Sequence, residues 1–351
     1  MKVVGIMSGT SLDGVDLALV EFEGVQTISF QILAAVTVPY PDVWSKRLKT
    51  CNGLSAEEFL KLHNEYGNYL GDLCKVFIKK NNSEAEVIAS HGHTIFHQPD
   101  NRFTFQLGSG ACIAATTGVT TVSDFRSLDV ALGGQGAPLV PIGDRLLFGE
   151  YDYCLNLGGF GNISFEKTGE RIAFDCCPVN MILNLLANER GFDFDKNGNL
   201  SASGSFNQEL FDNLNRIKFY HQSYPKSLGA EWFKSEFLPL IEQSKITLED
   251  KLHTLCHHIA YQVSKCLLLK HTDHSKMLVT GGGARNTFLQ QLMKQYCSVQ
   301  IIIPEERIVD FKEALIFAFL GYLRIAEMPN SLSSVTGATS NSTGGSVFVM
   351  K

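Results

Sequence analysis

The hydrophobic residues of this chain come in short runs broken by glycine-rich turns and in longer stretches with helical spacing. Residues 3–7 are apolar, the next turn is rich in Gly, Ser, Thr and Asp, and apolar residues resume at Val15, Leu17, Leu19 and Phe22. That pattern predicts strand, turn, strand, with residues 28–38 as a third strand. Between residues 56 and 79, Phe59, Leu62, Tyr66, Leu70, Leu73, Val76 and Phe77 fall on one helical face. Residues 87–90 read as a short buried strand ending at His91-Gly92-His93. Gln106 and Leu107 then lead into Gly108-Ser109-Gly110 and an alanine-rich segment, and residues 119–123 form another strand ending at Asp124.

Residues 128–141, LDVALGGQGAPLVP, read as a long ordered connection, a kind of segment that is often functional. A second strand–turn–strand unit follows, from residues 153–157 through Gly158-Gly159-Phe160-Gly161-Asn162 to residues 163–165. It echoes the opening unit and suggests two related halves. Residues 276–280 form a strand entering Gly281-Gly282-Gly283, and a helix starts at Ala284-Arg285-Asn286 with Phe288, Leu289, Leu292 and Tyr296 inward. Strand, triple glycine and helix is a nucleotide-site arrangement. Residues 312–325 are apolar almost all round and predict a buried helix. The Ser/Thr/Gly-rich end, residues 331–350, finishes in a strand-like 346–350 and is expected to be tied down.

The 351 residues suit two domains, and 44% hydrophobic with 19% charged residues is ordinary globular composition. Net charge is −6 and the Lys and Arg residues are scattered, so no nucleic-acid partner is expected. The nine cysteines show no CxxC, and the adjacent pair Cys176-Cys177 is a poor start for a disulfide framework. Reduced thiols, no signal peptide and no apolar membrane span predict a cytoplasmic protein without a membrane partner.

The opening turn concentrates chemistry. Gly9 and Gly14 let backbone N–H groups face an anion, Ser8, Thr10 and Ser11 can donate to phosphate, and Asp13 or Asp16 can hold a hydrated cation. No Walker-type P-loop and no protein-kinase motif set is present. Three glycine-rich turns, each fed by a strand, instead suit an ATPase cleft between two domains. His91, His93 and His97 offer metal-type spacing, but sugar-lining or structural roles fit Gly92 and Thr94 better. Asp193, Asp195, Asn197 and Gly198 imitate a calcium loop whose twelfth residue is Gly204, so a turn is expected. His257 and His258 are expected on a helix surface, and Cys176 and Cys177 are expected to pack.

Taken in order, the motifs are GIMSGTSLDGVD at 5–16, SHGHT at 90–94, SDFRSLDVALGGQGAPLVP at 123–141 and LNLGGFGNISF at 155–165. They continue with FDCCPVN at 174–180, PKSLGAEWF at 225–233, VTGGGARN at 279–286, a late EAL at 313–315 and NSLSSVTGA at 330–338. With them the chain resembles, end to end, the anhydro-N-acetylmuramic acid kinase family of actin-like sugar kinases. The resemblance implies an α/β fold of two actin-like (ribonuclease H-like) domains flanking an interdomain ATP/sugar cleft. The domains are expected at 1–125 plus 332–351 and at 126–331. It implies ATP and magnesium as cofactors, an amino-sugar substrate, a homodimer, and a role in cell-wall recycling. The reaction would open the 1,6-anhydro bridge with water while phosphorylating the sugar.

By this resemblance Gly9, Thr10, Ser11, Leu12, Asp13, Gly14, Val15 and Asp16 hold the ATP phosphates, with Asp16 the candidate magnesium ligand. Gly158, Gly159 and Asn162 form the second phosphate hairpin, and Gly281, Gly282, Gly283 and Asn286 flank the adenosine. Arg126, Asp124, His91, His93 and Asn180 are the sugar contacts. Asp175 is the catalytic base and Glu313 a second catalytic carboxylate. The chain departs from the family pattern at Cys176-Cys177, where Thr-Gly is usual, at His93, where Gln is usual, and at Gly108-Ser109-Gly110-Ala111, where a more polar pattern is usual. These departures leave two alternatives, a kinase for another sugar or a non-catalytic ATP-binding regulatory protein.

Overall fold

The computed structural model describes Met1 to Lys351 apart from residues 10–11, 25–26 and 268–273. The expected ATP contacts Thr10 and Ser11 therefore lie outside the described residues. The chain divides into two compact units, Met1–Leu147 with Phe311–Lys351, and Phe148–Asp310.

The first unit is built on β1 (Lys2–Ser8), β2 (Gly14–Glu23), β3 (Ser29–Pro39), β4 (Val87–Gln98), β5 (Phe103–Leu107) and β6 (Thr120–Ser123). In the second unit the strands are β7 (Tyr153–Leu157), β8 (Phe160–Lys167), β9 (Glu170–Pro178), β10 (Lys276–Thr280) and β11 (Gln300–Ile302). The last strand, β12 (Ser346–Phe348), returns to the first unit and pairs antiparallel with β6. The first sheet runs β12-β6-β4-β1-β2-β3, with β5 folded back on β4, and the second runs β11-β10-β7-β8-β9.

The two orders carry the same plan. In each unit three strands form an antiparallel meander, and the first of them takes two further parallel neighbours on its other side. That repeated order is the ribonuclease H-like arrangement of actin-like proteins. It explains the two strand–turn–strand echoes in the sequence.

Helices cover the sheets where the sequence leaves apolar stripes. The Ala56–Lys80 helix starts with a Ser55/Glu58 capping box and buries Leu62, Tyr66, Leu70, Cys74 and Phe77. Val76, expected on that face, is 66% exposed, because it falls past the edge of the buried stripe. The Glu306–Ile325 helix is interrupted at Phe311, where the two units divide. Its later part lies directly on the first sheet. A Cβ on Gly5 would sit 2.0 Å from the Ala314 carbonyl oxygen, and one on Gly321 would sit 2.5 Å from the Ala89 Cβ. Glycine at both places is what lets helix and strands approach.

That packing moves the domain boundaries. Residues 126–147 and 311–331, expected in the second domain, belong to the first unit. Three local expectations also change. The strand read as 87–90 continues to Gln98, because Gly92 turns through φ +71° and the chain then pairs with β5. The 128–141 connection contains the Ser127–Ala131 helix and enters the Val140–Leu147 helix. After the triple glycine, a 3-10 turn, Gly282–Arg285, precedes the Thr287–Tyr296 helix, with Asn286 as its N-cap. Among the described residues no helix is long and apolar enough to cross a membrane.

Candidate active site

In the first unit, the opening hairpin runs from β1 to β2, with Met7 opposite Asp16. Leu12 at its tip has φ +61°, a conformation a branched side chain adopts rarely. Asp13 is exposed, and the Val15 side chain is wholly buried, so Val15 offers only backbone to a ligand. Gly14 answers to the fold itself, since a Cβ there would lie 2.5 Å from the Val38 carbonyl oxygen. Asp16 accepts a hydrogen bond from the Thr37 hydroxyl at 2.6 Å.

Asp16 and Arg126 are each close enough to Glu313 to influence it. Glu313 keeps an open surface yet is crowded by surrounding protein. The loss of water raises its carboxyl above the usual range, Asp16 raises it further, and Arg126 and Lys312 pull it back. Lys312 itself is buried in an ion pair with Asp144 at 2.6 Å.

Arg126 is held by a chain of bonds whose proton positions can be deduced. His91 Nδ1 donates to the Gly92 carbonyl at 2.8 Å, so Nε2 is the acceptor. Arg126 donates to that nitrogen from Nε at 3.1 Å and from Nη2 at 2.8 Å. Burial, then the Arg126 charge, push His91 well below the usual histidine range, which keeps it neutral for this role. Burial also brings Arg126 down to about 10, still charged at neutral pH. A third arm, Nη1, donates to the Gly136 carbonyl at 2.6 Å.

Gly136 is fixed in turn by Asp129. This carboxylate is 1% exposed and accepts from the Gly136 N–H at 2.8 Å and from the Ser331 and Thr336 hydroxyls at 2.7 Å each. Asp129 therefore ties the 128–141 motif to the 330–338 motif and seats Arg126. Asp124 is exposed, has φ +60° and accepts from the Ser127 hydroxyl at 2.6 Å.

His93 does not stand open as expected of a sugar contact. It is 4% exposed and lies 3.3 Å from the Ser8 hydroxyl, which also meets the Tyr40 and Tyr66 hydroxyls at 2.7 Å each. Sequence reading treated Tyr66 as plain core. The signal that pointed further was its register in the helix beside Ser8, at the root of the opening turn.

The second unit brings together the other turns. The carbonyls of Gly158 and Gly159 accept from the Asn180 N–H at 3.1 Å and the Val179 N–H at 2.9 Å, which locks the hairpin tip onto the Asn180–Asn188 helix. A Cβ on Gly159 would meet no atom closer than 3.9 Å, so nothing inside the protein demands glycine there, while one on Gly158 would press on Asn156 at 3.3 Å. The triple glycine differs. Gly281 has φ +82°, and a Cβ on it or on Gly283 would come within 2.8 Å of Asn156 or Leu157 atoms. Asn180 donates from Nδ2 to the Leu157 carbonyl at 2.8 Å and borders Gly282, which sets it beside the triple-glycine turn. Asn286 is buried as a helix cap, accepting from the Leu289 N–H at 2.9 Å.

Asp175 lies on β9 opposite Asn162. Its Oδ2 accepts from the Leu228 N–H at 2.7 Å, and its own N–H donates to the Lys226 carbonyl at 3.1 Å. Burial raises its carboxyl from the ordinary 3.8 to about 6, against the lowering effect of the Leu228 N–H. Cys176 and Cys177 beside it are at most 1% exposed and pack in the second core.

A sequence model of the anhydro-N-acetylmuramic acid kinase family matches residues 1–350. The chain belongs to this family. It is 36% identical over 354 residues to an anhydro-N-acetylmuramic acid kinase of Vibrio vulnificus, covering 96% of this chain and 95% of that one. Similar relatives of the same name are found in Pasteurella multocida, 36% identical with 99% and 97% covered, and Synechococcus elongatus, 34% identical with 99% of each covered. Among solved structures, a ROK family glucokinase from Streptomyces griseus aligns with 92% of this chain and 99% of its own, at 12% identity and a TM-score of 0.44.

Against the family pattern, the departures at Cys176 and Cys177 fall on core side chains, and His93 is engaged with Ser8. Other histidines and acids resolve as structure. His258, expected on a helix surface, is wholly buried between Asn215 at 2.8 Å and Tyr220 at 3.0 Å, and burial pushes it down to about 3. The correction arises because its helix face packs on the Lys218–His221 turn. Asp195 of the calcium-like stretch caps the Leu200 and Ser201 N–H groups at 2.8 and 2.9 Å. Among the described residues no group of three or more His, Cys, Asp or Glu side chains is arranged to hold a metal.

Proposed function

We propose that the chain is an ATP-dependent kinase that opens 1,6-anhydro-N-acetylmuramic acid with water and phosphorylates it to N-acetylmuramic acid 6-phosphate. The family match over residues 1–350 supports the substrate class. The observation that carries the mechanism is Asp175, a carboxylate raised to about 6, where a group still ionised at neutral pH retains appreciable basicity.

In this reading Asp175 takes a proton from water as the water oxygen bonds to the anomeric carbon. The bond from that carbon to the bridging oxygen breaks, and the freed oxygen bonds to the γ-phosphorus as the bond to ADP breaks. Glu313 orients groups in the first unit, and Arg126, fixed by His91 and Gly136, binds the sugar. The opening hairpin at Gly9, Leu12, Asp13 and Gly14 and the Gly158-Gly159 tip hold ATP phosphates, and Gly281–Gly283 flank the adenosine. Asp16 and Glu313 raise local negative charge together, a donor set that fits a divalent cation. Magnesium held near Asp16 would supply charge neutralisation at the phosphates.

The two buried cysteines leave little reason for a changed sugar, because neither side chain reaches the surface. An ADP-release assay with the anhydro sugar, ATP and magnesium in ¹⁸O-water tests the reading. The expected result is ADP formation, with the label in the C1 hydroxyl and none in the phosphate. ADP formation only with other sugars, or nucleotide binding without turnover of any sugar, overturns it.

A further inference from the structure

We propose that residues 225–228 are a strap that orients the carboxylate of Asp175, and that Lys226 is the positioning residue that anchors this strap. The proposal rests on the reading of Asp175 as the base. The segment opens the PKSLGAEWF motif, to which the reaction above gives no part. It joins the Lys218–His221 turn to the Ala230–Trp232 helix without regular structure of its own. Pro225 and Ser227 are exposed while Lys226 and Leu228 are half-buried, so alternate residues face the protein.

The strap grips Asp175 twice. β9 ends its sheet, which leaves one edge without a strand partner. The strap supplies partners there, through the Lys226 carbonyl to the Asp175 N–H at 3.1 Å and the Leu228 N–H to Oδ2 at 2.7 Å. Among the described residues Oδ1 takes no hydrogen bond. One oxygen is therefore fixed by backbone, and the other is left to accept a proton.

The strap needs its own anchor, because a surface loop of this kind is otherwise mobile. Lys226 Nζ donates to the Phe219 carbonyl at 3.3 Å and lies 4.7 Å above the Phe219 ring and 5.8 Å from that of Phe174. Phe174 immediately precedes Asp175, and Tyr224 stacks on it at 5.3 Å with the rings 7° from parallel. Both ends of the grip thus close on the strand that carries the base.

Cys176 and Cys177, next to Asp175 on β9, act on it electrostatically, and they in turn neighbour Cys266 at the end of the Leu248–Cys266 helix, Tyr220 and Lys226, with His258 bonded to Tyr220. Cys176, Cys177 and Tyr220 are all held well above their usual values, Cys176 chiefly by its hydrogen bond with Cys266 and the others by burial. They stay protonated through neutral pH. His258 is held down to about 3 and stays neutral there. Glu313 is also held above the usual carboxylate range, so a limb that moves in the strap variants and not in Glu313→Gln reports on Asp175.

The test compares Lys226→Met, Lys226→Arg and Leu228→Pro for kcat, both KM values and melting temperature across pH. Leu228→Pro removes the donor, and the acid limb of kcat is expected to rise by about one to two pH units. Lys226→Met is expected to move the limb the same way, by about one unit, which is roughly a threefold loss at pH 6.5 and little loss at pH 9. Lys226→Arg should restore it, with both KM values unchanged throughout. A merely structural defect would be independent of pH. In the unmodified protein the Leu228 amide proton resonance should titrate with a midpoint near 6 and cease to do so in Asp175→Asn. An amide that does not titrate, or folded variants with an unmoved acid limb, overturns the strap. If Asp175→Asn keeps its turnover, the base assignment itself falls, which is a different result.

Discussion

Replacing Asp175 by Asn should cut turnover sharply and stabilise the protein at the same time. Asn keeps the shape and can still accept the Leu228 N–H through its oxygen, but it cannot take a proton from water. Loss of a positioned base predicts a fall in kcat of about 10²–10⁴-fold with ATP affinity nearly intact. The stability term follows from the raised carboxyl. An Asp that ionises near 3.8 when unfolded and near 6 when folded is neutral in both states at low pH and costs nothing there. From pH 3.8 to about 6 the unfolded state ionises while the folded state stays protonated, so the penalty grows over that interval and is fully present above it. The difference, from 3.8 to about 6, corresponds to about 3 kcal/mol, reduced because the half-buried carboxylate keeps some solvent. At pH 8 the Asn variant should therefore melt higher, by about 2–4 °C for each kcal/mol realised, and at pH 4 the two proteins should converge. Calorimetry at both pH values and a coupled ADP-release assay measure the two effects. A variant that turns over within tenfold of the parent removes Asp175 as the base. A variant less stable than the parent at pH 8 refutes the burial argument even if activity is lost.

Three further outcomes separate ligand demands from folding demands. Gly159→Ala places a Cβ 3.9 Å from its nearest neighbour, so melting should be unchanged while KM for ATP rises at least about tenfold; an unchanged KM removes the tip from the phosphate site. Asp129→Ala leaves the Gly136 N–H and the Ser331 and Thr336 hydroxyls without their shared acceptor, and denaturant unfolding should show a loss of about 2–5 kcal/mol, with KM for the sugar raised through Arg126. Lys312→Met takes from the buried Asp144 its ion-pair partner at 2.6 Å and should cost up to about 3–5 kcal/mol, much of it recovered in Lys312→Met with Asp144→Leu; if the double variant is no better than the single one, the pair is not what that position answers to.

The meander of each unit was legible because β1, β2, β7 and β8 carry short apolar runs around glycine-rich turns. What escaped the sequence were effects of distance. Nothing in residues 87–98 signals that the strand passes through His91 and His93, because Gly92 normally reads as a stop and here only tilts the chain. The close seat of the late helix on the first sheet escaped because it shows only in Gly5 and Gly321, glycines whose meaning appears once Ala314 and Ala89 are set against them. Asp129 stood inside a recognisable motif, but its partners Ser331 and Thr336 lie 202 and 207 positions away. His258 looked like a surface residue on an amphipathic helix, and only the Asn215 and Tyr220 partners reveal a second buried face.

The surroundings of the two proposed catalytic carboxylates argue for a division of labour. Glu313 is raised first by burial, and unlike Asp175 it also stands among charges, with Asp16 raising it further and Arg126 and Lys312 lowering it. Any cation or phosphate arriving at Asp16 or Arg126 would shift that balance, so the protonation of Glu313 follows what is bound. Asp175 is governed by burial and by one backbone donor, neither of which is a mobile charge. A base must be ionised before water is attacked and must remain so while charged ligands come and go. The insulated carboxylate meets that requirement, and the charge-coupled one is suited to sensing and orienting the ligands. On this argument the Glu313→Gln variant should alter the dependence of kcat on magnesium concentration, while its acid limb, set by Asp175, stays near pH 6. A limb that moves with Glu313→Gln and stays fixed in the strap variants would exchange the two roles.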